Sequence, residues 1–136
     1  MNPITQDQDH WLKDYGWAQR GGAWNEDTDV LLVGTVASGA PGADALNAWV
    51  AQQDKSQGRV DGVEREIFYA GGVRGYLETS EDGTALYLHS RGEDAFDSLS
   101  HYSGEVARFL RAQGCDTPLQ WTEARHDRAD RQLVWP

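Results

Sequence analysis

Tyrosines and charged or titratable side chains occupy alternating positions between residues 65 and 89 of the 136-residue chain. Because successive residues of a strand point to opposite faces, residues at this spacing share one side of a sheet. Tyrosine and arginine concentrate where protein partners bind each other most strongly. We therefore expect an uncovered sheet face to bind a partner through six residues: Tyr69, Arg74, Tyr76, Glu78, Tyr87 and His89.

His89 and Glu78 also form the best acid–base pair that the sequence offers, since an imidazole and a carboxylate can exchange a proton. A small enzyme using this pair, or a binder of small ligands with a pocket lined by some of the six tryptophans, is therefore the alternative interpretation. The nucleophile-elbow pattern G-x-S-x-G is absent around Ser38 and Ser103, so we assign no catalytic residue.

Histidines and the single cysteine do not form a metal-binding pattern. His10 with Asp14, and His101 with Glu105, are four residues apart on predicted helices, but a metal site needs a further ligand. Cys115 follows the predicted end of a helix, where the helix dipole opposes thiolate formation. We expect neither a metal nor a cofactor.

The segment 34–39 has the glycine spacing of a phosphate-binding loop directly after a predicted strand. The residues that follow are Ala40 and Pro41, where such a loop has a lysine and a hydroxyl side chain. The pattern therefore predicts only a tight turn from a strand to a helix.

The charge balance is strongly acidic, with 22 Asp and Glu against 12 Lys and Arg, which gives a formal net charge of −10. A field of this sign repels phosphate backbones and attracts cationic partners, although acidity can also serve solubility or a salty habitat alone. We expect a basic protein partner and no nucleic acid. A second acidic patch is predicted at Glu26, Asp27 and Asp29.

Length and composition suit one folded domain over residues 1–136. The first residues have neither a basic start nor an apolar run, and the sequence contains no stretch long and apolar enough to cross a bilayer. The expected location is the cytoplasm, without membrane attachment.

Three segments rich in aromatic and β-branched residues predict an antiparallel meander over 64–70, 73–80 and 84–90. The glycine-containing pairs between them, at 71–72 and 82–83, are typical of two-residue hairpin turns. With these turns Arg65 would pair with Glu78, and Tyr76 with His89.

Helical periodicity predicts helices over about 5–19, from Asp44 to about Lys55, and over about 91–113. A continuous apolar run at 30–37 predicts a central strand, and further strands are expected at 119–122 and, less clearly, 133–135. The fold class is α+β in the order α-β-α-β-β-β-α-β(-β), with a mixed sheet and helices mainly on one face.

These features favour a non-enzymatic, acidic protein-interaction module. An inhibitor or immunity-type protein that neutralises a basic nuclease or other toxin fits the charge. The small enzyme or ligand binder stays open beside it, and the oligomeric state is not predicted.

Overall fold

The computed structural model describes residues 29–37, 39, 41–60, 62–92, 94–115 and 119–125. The predicted helix over 5–19, the acidic residues Glu26 and Asp27, and the predicted strand over 133–135 lie outside these residues.

Six strands and two helices make up the described chain. In chain order they are β1 (Asp29–Ala37), α1 (Gly42–Ala51), β2 (Asp54–Val60), β3 (Val63–Ala70), β4 (Val73–Ser80), β5 (Gly83–Arg91), α2 (Ala95–Ala112) and β6 (Gln120–Arg125). The strands form one sheet in the order β2-β3-β4-β5-β1-β6. The α+β class is confirmed.

All neighbouring strands of the sheet run antiparallel, so the prediction of a mixed sheet is wrong. The reason lies in the connections. Three successive hairpins link β2 to β5, and α1 and α2 return the chain so that β5 and β6 both run opposite to β1.

The two helices cover one face of the sheet, which we call the helix face. Its core contains Leu32, Phe68 and Leu86, all fully buried. The ring of Trp49 from α1 packs edge-on against that of Phe68, with 5.4 Å between the ring centroids. Leu99 in α2 completes this layer from above. Burying each such side chain stabilises the fold by roughly 1.5–3 kcal/mol.

Helix α2 begins at Ala95, later than predicted, because β5 continues to Arg91 in register with Asp29. It ends as expected from the sequence. Gly114 has a φ of +84°, and the N–H of Cys115 donates to the carbonyl of Leu110 at 3.0 Å. This closes the last helical turn and buries Cys115 as a small apolar residue. Neither described helix has the length and apolarity needed to cross a bilayer.

Strand β2 was not predicted, because the sequence places Lys55 at the end of a helix. The helix α1 stops at Ala51, and the Lys55 ammonium donates to the carbonyl oxygens of Ala51 at 3.2 Å and Gln53 at 2.8 Å. A cation at this helix end is favourable because the carbonyl groups there lack helical partners. The polar strand then pairs with β3 through a tight turn that contains Gly62 at a φ of +82°.

The β4–β5 hairpin turns one residue earlier than predicted, since Ser80 pairs with Gly83. The register therefore differs by two residues. Tyr76 lies opposite Tyr87, so the predicted pairing of Tyr76 with His89 is wrong. An even shift leaves every side chain on its expected face, because side chains alternate with a period of two.

Candidate interaction surface

The side of the sheet opposite the helices, which we call the second face, carries the six predicted contact residues of β3, β4 and β5. The expectation that this face is fully open does not hold for two of them, since Tyr76 is 7% and His89 1% exposed. The other four retain partial exposure: Tyr69, Arg74, Glu78 and Tyr87. The surface available for contact is therefore narrower than predicted.

Four of the side chains on this face form what we call the tyrosine cluster: Arg65, Tyr76, Glu78 and Tyr87. The rings of Tyr76 and Tyr87 stack at 4.4 Å with an interplanar angle of 12°. The Arg65 guanidinium carbon lies 4.5 Å from the centre of the Tyr76 ring, a cation–π geometry. Arg65 donates to Glu78 Oε2 at 2.8 Å, and the Tyr87 hydroxyl donates to Oε1 at 3.3 Å. Both carboxylate oxygens of Glu78 are thus fixed in place.

The Tyr87 phenol remains a neutral donor in this cluster. Burial raises its pKa above the ordinary value, and the charge of Glu78 and the hydrogen bond to it raise the pKa further. Arg65 opposes these effects because a positive charge favours the phenolate. A neutral phenol keeps its proton for Glu78, so the carboxylate retains its second donor well into the alkaline range.

The Arg65 side chain is 22% exposed and its partner Glu78 is 43% exposed. The Arg65 Nε is buried, and within the described part of the chain it has no hydrogen-bond partner. Glu78 and the Tyr76 ring therefore compensate the positive charge of this partly buried guanidinium. Sequence reasoning placed Arg65 on the correct face but left it out of the contact set, because its supporting role depends on this partial burial.

His89 belongs to a separate pair at the other end of the second face. The Arg74 Nε donates to His89 Nδ1 at 3.3 Å, which requires that nitrogen to be unprotonated. Glu78 lies opposite Ala85, four residues along β5 from His89, which corresponds to about 13 Å. The predicted acid–base pair of His89 and Glu78 is therefore wrong.

The described tryptophans fill packing positions. Trp49 lies in the core of the helix face. The ring of Trp121 lies over Gly34 so closely that a Cβ there would come within 2.6 Å of a ring carbon. These residues support the fold and lend no support to a tryptophan-lined pocket.

A cavity of about 400 Å³ lies beside the tyrosine cluster, near the β4–β5 turn, and we call it the acceptor trough. Its lining includes Glu78, Ser80 and Asp82 on one side and Gln120 on the other. The strand registers explain the shape. Glu78, Ala85, Thr35 and Gln120 stand in one row across β4, β5, β1 and β6. The two central residues of this row are small, so a depression forms between longer outer side chains.

The predicted acidic patch at 26–29 contributes only Asp29 to the described residues, where it begins β1 opposite Arg91. Within the described ranges, no three His, Cys, Asp or Glu side chains converge as metal ligands. Comparisons of the chain with protein-family models, curated proteins and solved structures give no match.

Proposed function

We propose that the protein is a non-enzymatic, acidic interaction module of the inhibitor or immunity type. Its partner is a basic protein, such as a nuclease or another toxin, whose cationic surface it covers. The observation that carries the proposal is the half-exposed Glu78 carboxylate, held by Arg65 at 2.8 Å and by Tyr87 at 3.3 Å. A carboxylate fixed before binding loses little freedom when a cation of the partner reaches it.

Charge supports the same partner class. The net charge of −10 attracts a basic protein over distances comparable with the Debye length, about 8 Å at physiological ionic strength. Such attraction raises the rate of association and weakens when salt is added. The acidic residues Glu26, Asp27 and Asp29 belong to this proposal as a second patch that strengthens the field.

The proposed contact follows the exposed parts of the meander formed by β3, β4 and β5. The exposed polar groups of this contact are the hydroxyls of Tyr69 and Tyr87 and the carboxylate of Glu78, each carried on an apolar ring or methylene chain. Arg74 adds one positive group. Such amphipathic side chains suit a surface that is hydrated alone and becomes dry on binding. Tyr76 and His89, which are buried, act by supporting their neighbours Tyr87 and Arg74.

The location follows from the partner class. A protein that neutralises an intracellular toxin acts where the toxin would act, which for a nuclease is the cytoplasm. This location is part of the proposal.

The test compares two carboxylates that differ in position but are alike in their own exposure and in their distance to an arginine partner. Glu105 on α2 is 46% exposed and accepts from Arg108 at 2.7 Å, close to the 43% and 2.8 Å of Glu78 with Arg65. Glu78→Gln and Glu105→Gln each remove one negative charge. Each variant and the unmodified chain is immobilised and exposed to a cell extract of the source at low and at high salt.

The proposal predicts that a protein rich in Lys and Arg is retained at low salt and released at high salt. Glu105→Gln retains it, and Glu78→Gln loses most of it. Equal retention by the two variants would show that only net charge matters. Absence of a salt-sensitive basic protein from the unmodified chain would refute the module itself.

A further inference from the structure

We infer that the acceptor trough receives an arginine side chain of the basic partner. The inference rests on the proposed function and names the chemistry of one contact. It makes Glu78 the anchor of that contact and the small residues of β1 and β5 the surface beneath it.

The trough is large enough to hold one long side chain. Its volume is about 400 Å³, within the range of pockets that bind small ligands. Its long row, from Glu78 through Ala85 and Thr35 to Gln120, crosses three interstrand spacings, or about 14 Å. A second row of small residues, Gly83 and Ala37, continues the floor toward the end of the sheet.

Hydrogen-bond acceptors surround this floor. Glu78 and Asp82 supply carboxylates, and Ser80 and Thr35 supply hydroxyl oxygens. The Ser80 hydroxyl accepts from the Asp82 N–H at 3.2 Å, and the Thr35 hydroxyl donates to the Gln120 carbonyl at 3.4 Å. Among the residues that the structure describes, the lining therefore offers several oxygens and two negative charges but no cationic side chain. An anion is disfavoured there, and a cation with several donors is favoured.

Arginine fits this arrangement better than lysine. The guanidinium carries five N–H donors in a fixed plane, which can reach a carboxylate and neighbouring oxygens together. A lysine ammonium presents three donors from a single point. The methylene stem of arginine would cover the apolar floor at Ala85 and Ala37, as long cationic side chains commonly do.

The orientation of Glu78 strengthens the fit. Arg65 holds Oε2 and the Tyr87 hydroxyl holds Oε1, so neither oxygen must reorganise to meet an incoming guanidinium. Each carboxylate oxygen accepts more than one hydrogen bond, so lone pairs remain for the ligand. Arg65 neutralises part of the charge, and Asp82, which lies in the same lining, supplies a second negative group.

The experiment uses small probes, so it does not depend on finding the partner. N-acetyl-arginine N-methylamide is titrated into the ¹⁵N-labelled full chain, and backbone amide shifts are followed by NMR. The citrulline analogue has the same shape without the charge, and the lysine analogue has the charge without the plane. We expect saturable shifts at Thr35, Gly83 and Ala85, and at least about tenfold weaker binding of citrulline, because hydrogen bonds to a charged donor are stronger.

Two variants locate the site. Glu78→Gln should weaken binding of the arginine probe severalfold, and Glu105→Gln should leave it unchanged. Ala85→Leu fills the floor without altering charge and should abolish the shifts. Far-UV circular dichroism and the thermal midpoint establish that each variant is folded. Equal binding of arginine and citrulline, shifts centred elsewhere, or tighter binding of lysine would overturn the inference.

The same variants separate this inference from the proposed function. A basic partner that binds Ala85→Leu as well as the unmodified chain does not use the trough, so the inference would fail while the module would stand. Probe binding without any basic partner in the extract would leave an arginine-binding trough and refute the module.

Discussion

Substituting Glu78 and Arg65 by neutral residues, separately and together, measures how much their ion pair contributes to the stability of the tyrosine cluster. We consider Glu78→Gln, Arg65→Met and the double variant, with stability measured by urea unfolding. Exposed ion pairs contribute about 0–1 kcal/mol, whereas hydrogen bonds to charged groups contribute about 1.5–3 kcal/mol. With side-chain exposures of 22% and 43% this pair lies between the two classes, so we expect a coupling energy of about 1–2 kcal/mol.

Comparing Glu78→Gln with the double variant tests whether the Arg65 charge needs Glu78 to compensate it. Glu78→Gln leaves the Arg65 charge partly buried, with its Nε lacking a hydrogen-bond partner among the described residues. Removing one partner of a buried pair costs more than the pair contributes, because the remaining charge is not compensated. We therefore expect the double variant to be more stable than Glu78→Gln alone.

The Arg59–Glu64 ion pair provides the control. Its side chains are 66% and 74% exposed and the closest N–O distance is 3.4 Å. A cycle of Arg59→Met and Glu64→Gln should give a coupling below about 0.5 kcal/mol. Equal coupling in the two cycles, or none between Arg65 and Glu78, would refute the claim that the cluster holds Glu78 in place.

Three further predictions concern the backbone and the titration of Tyr87. Gly75→Ala should destabilise the protein by more than about 2 kcal/mol, because a Cβ there would overlap the Tyr87 carbonyl oxygen and approach the Phe68 ring to 2.8 Å. Urea unfolding measures this loss. An unchanged free energy of unfolding would contradict the β4–β5 packing. Gly114→Ala should cost about 1 kcal/mol in the same assay, since φ at this position is +84°; no loss would mean that the helix ends differently. The raised pKa of Tyr87 means that its stabilisation is complete below the ordinary value of 10.0 and is lost as pH rises through the folded-state pKa. Tyr87→Phe should therefore reduce the alkaline loss of stability and remove a phenolate that appears above the ordinary tyrosine range in the ultraviolet titration, and an unchanged titration curve would contradict this assignment.

The alternation of residue types was sufficient to assign the faces of β3, β4 and β5. Assigning Tyr76 and Glu78 to one face depends only on a period of two, so it survived an error of two residues in the hairpin register. The error arose because Asp82 and Gly83 form a frequent turn sequence, whereas in the structure Gly83 already belongs to the strand.

Strand β2 illustrates a limit of local reasoning. Its residues Lys55 to Arg59 are polar and include a glycine, so their own preference for a strand is weak. Pairing with β3 supplies the missing stabilisation, and the Asp61-Gly62 sequence before Val63 was the available signal of a hairpin.

The acceptor trough could not be predicted from sequence patterns. It depends on the alignment of Glu78 with Thr35 and Gln120, which are distant in sequence and meet only through the pairing of β1 with β5 and β6. The burial of Tyr76 and His89 was missed for the same reason, because exposure depends on the whole fold.

The proposed contact at Glu78 is tested most directly by how well two chains of identical net charge retain a basic protein. One chain carries Glu78→Gln and the other carries Glu105→Gln. We expect that the chain altered on the second face fails to hold this protein at low salt, while the chain altered on α2 holds it as the unmodified protein does. Indistinguishable retention by the two chains would mean that the fixed carboxylate beside Tyr87 is not where the partner binds.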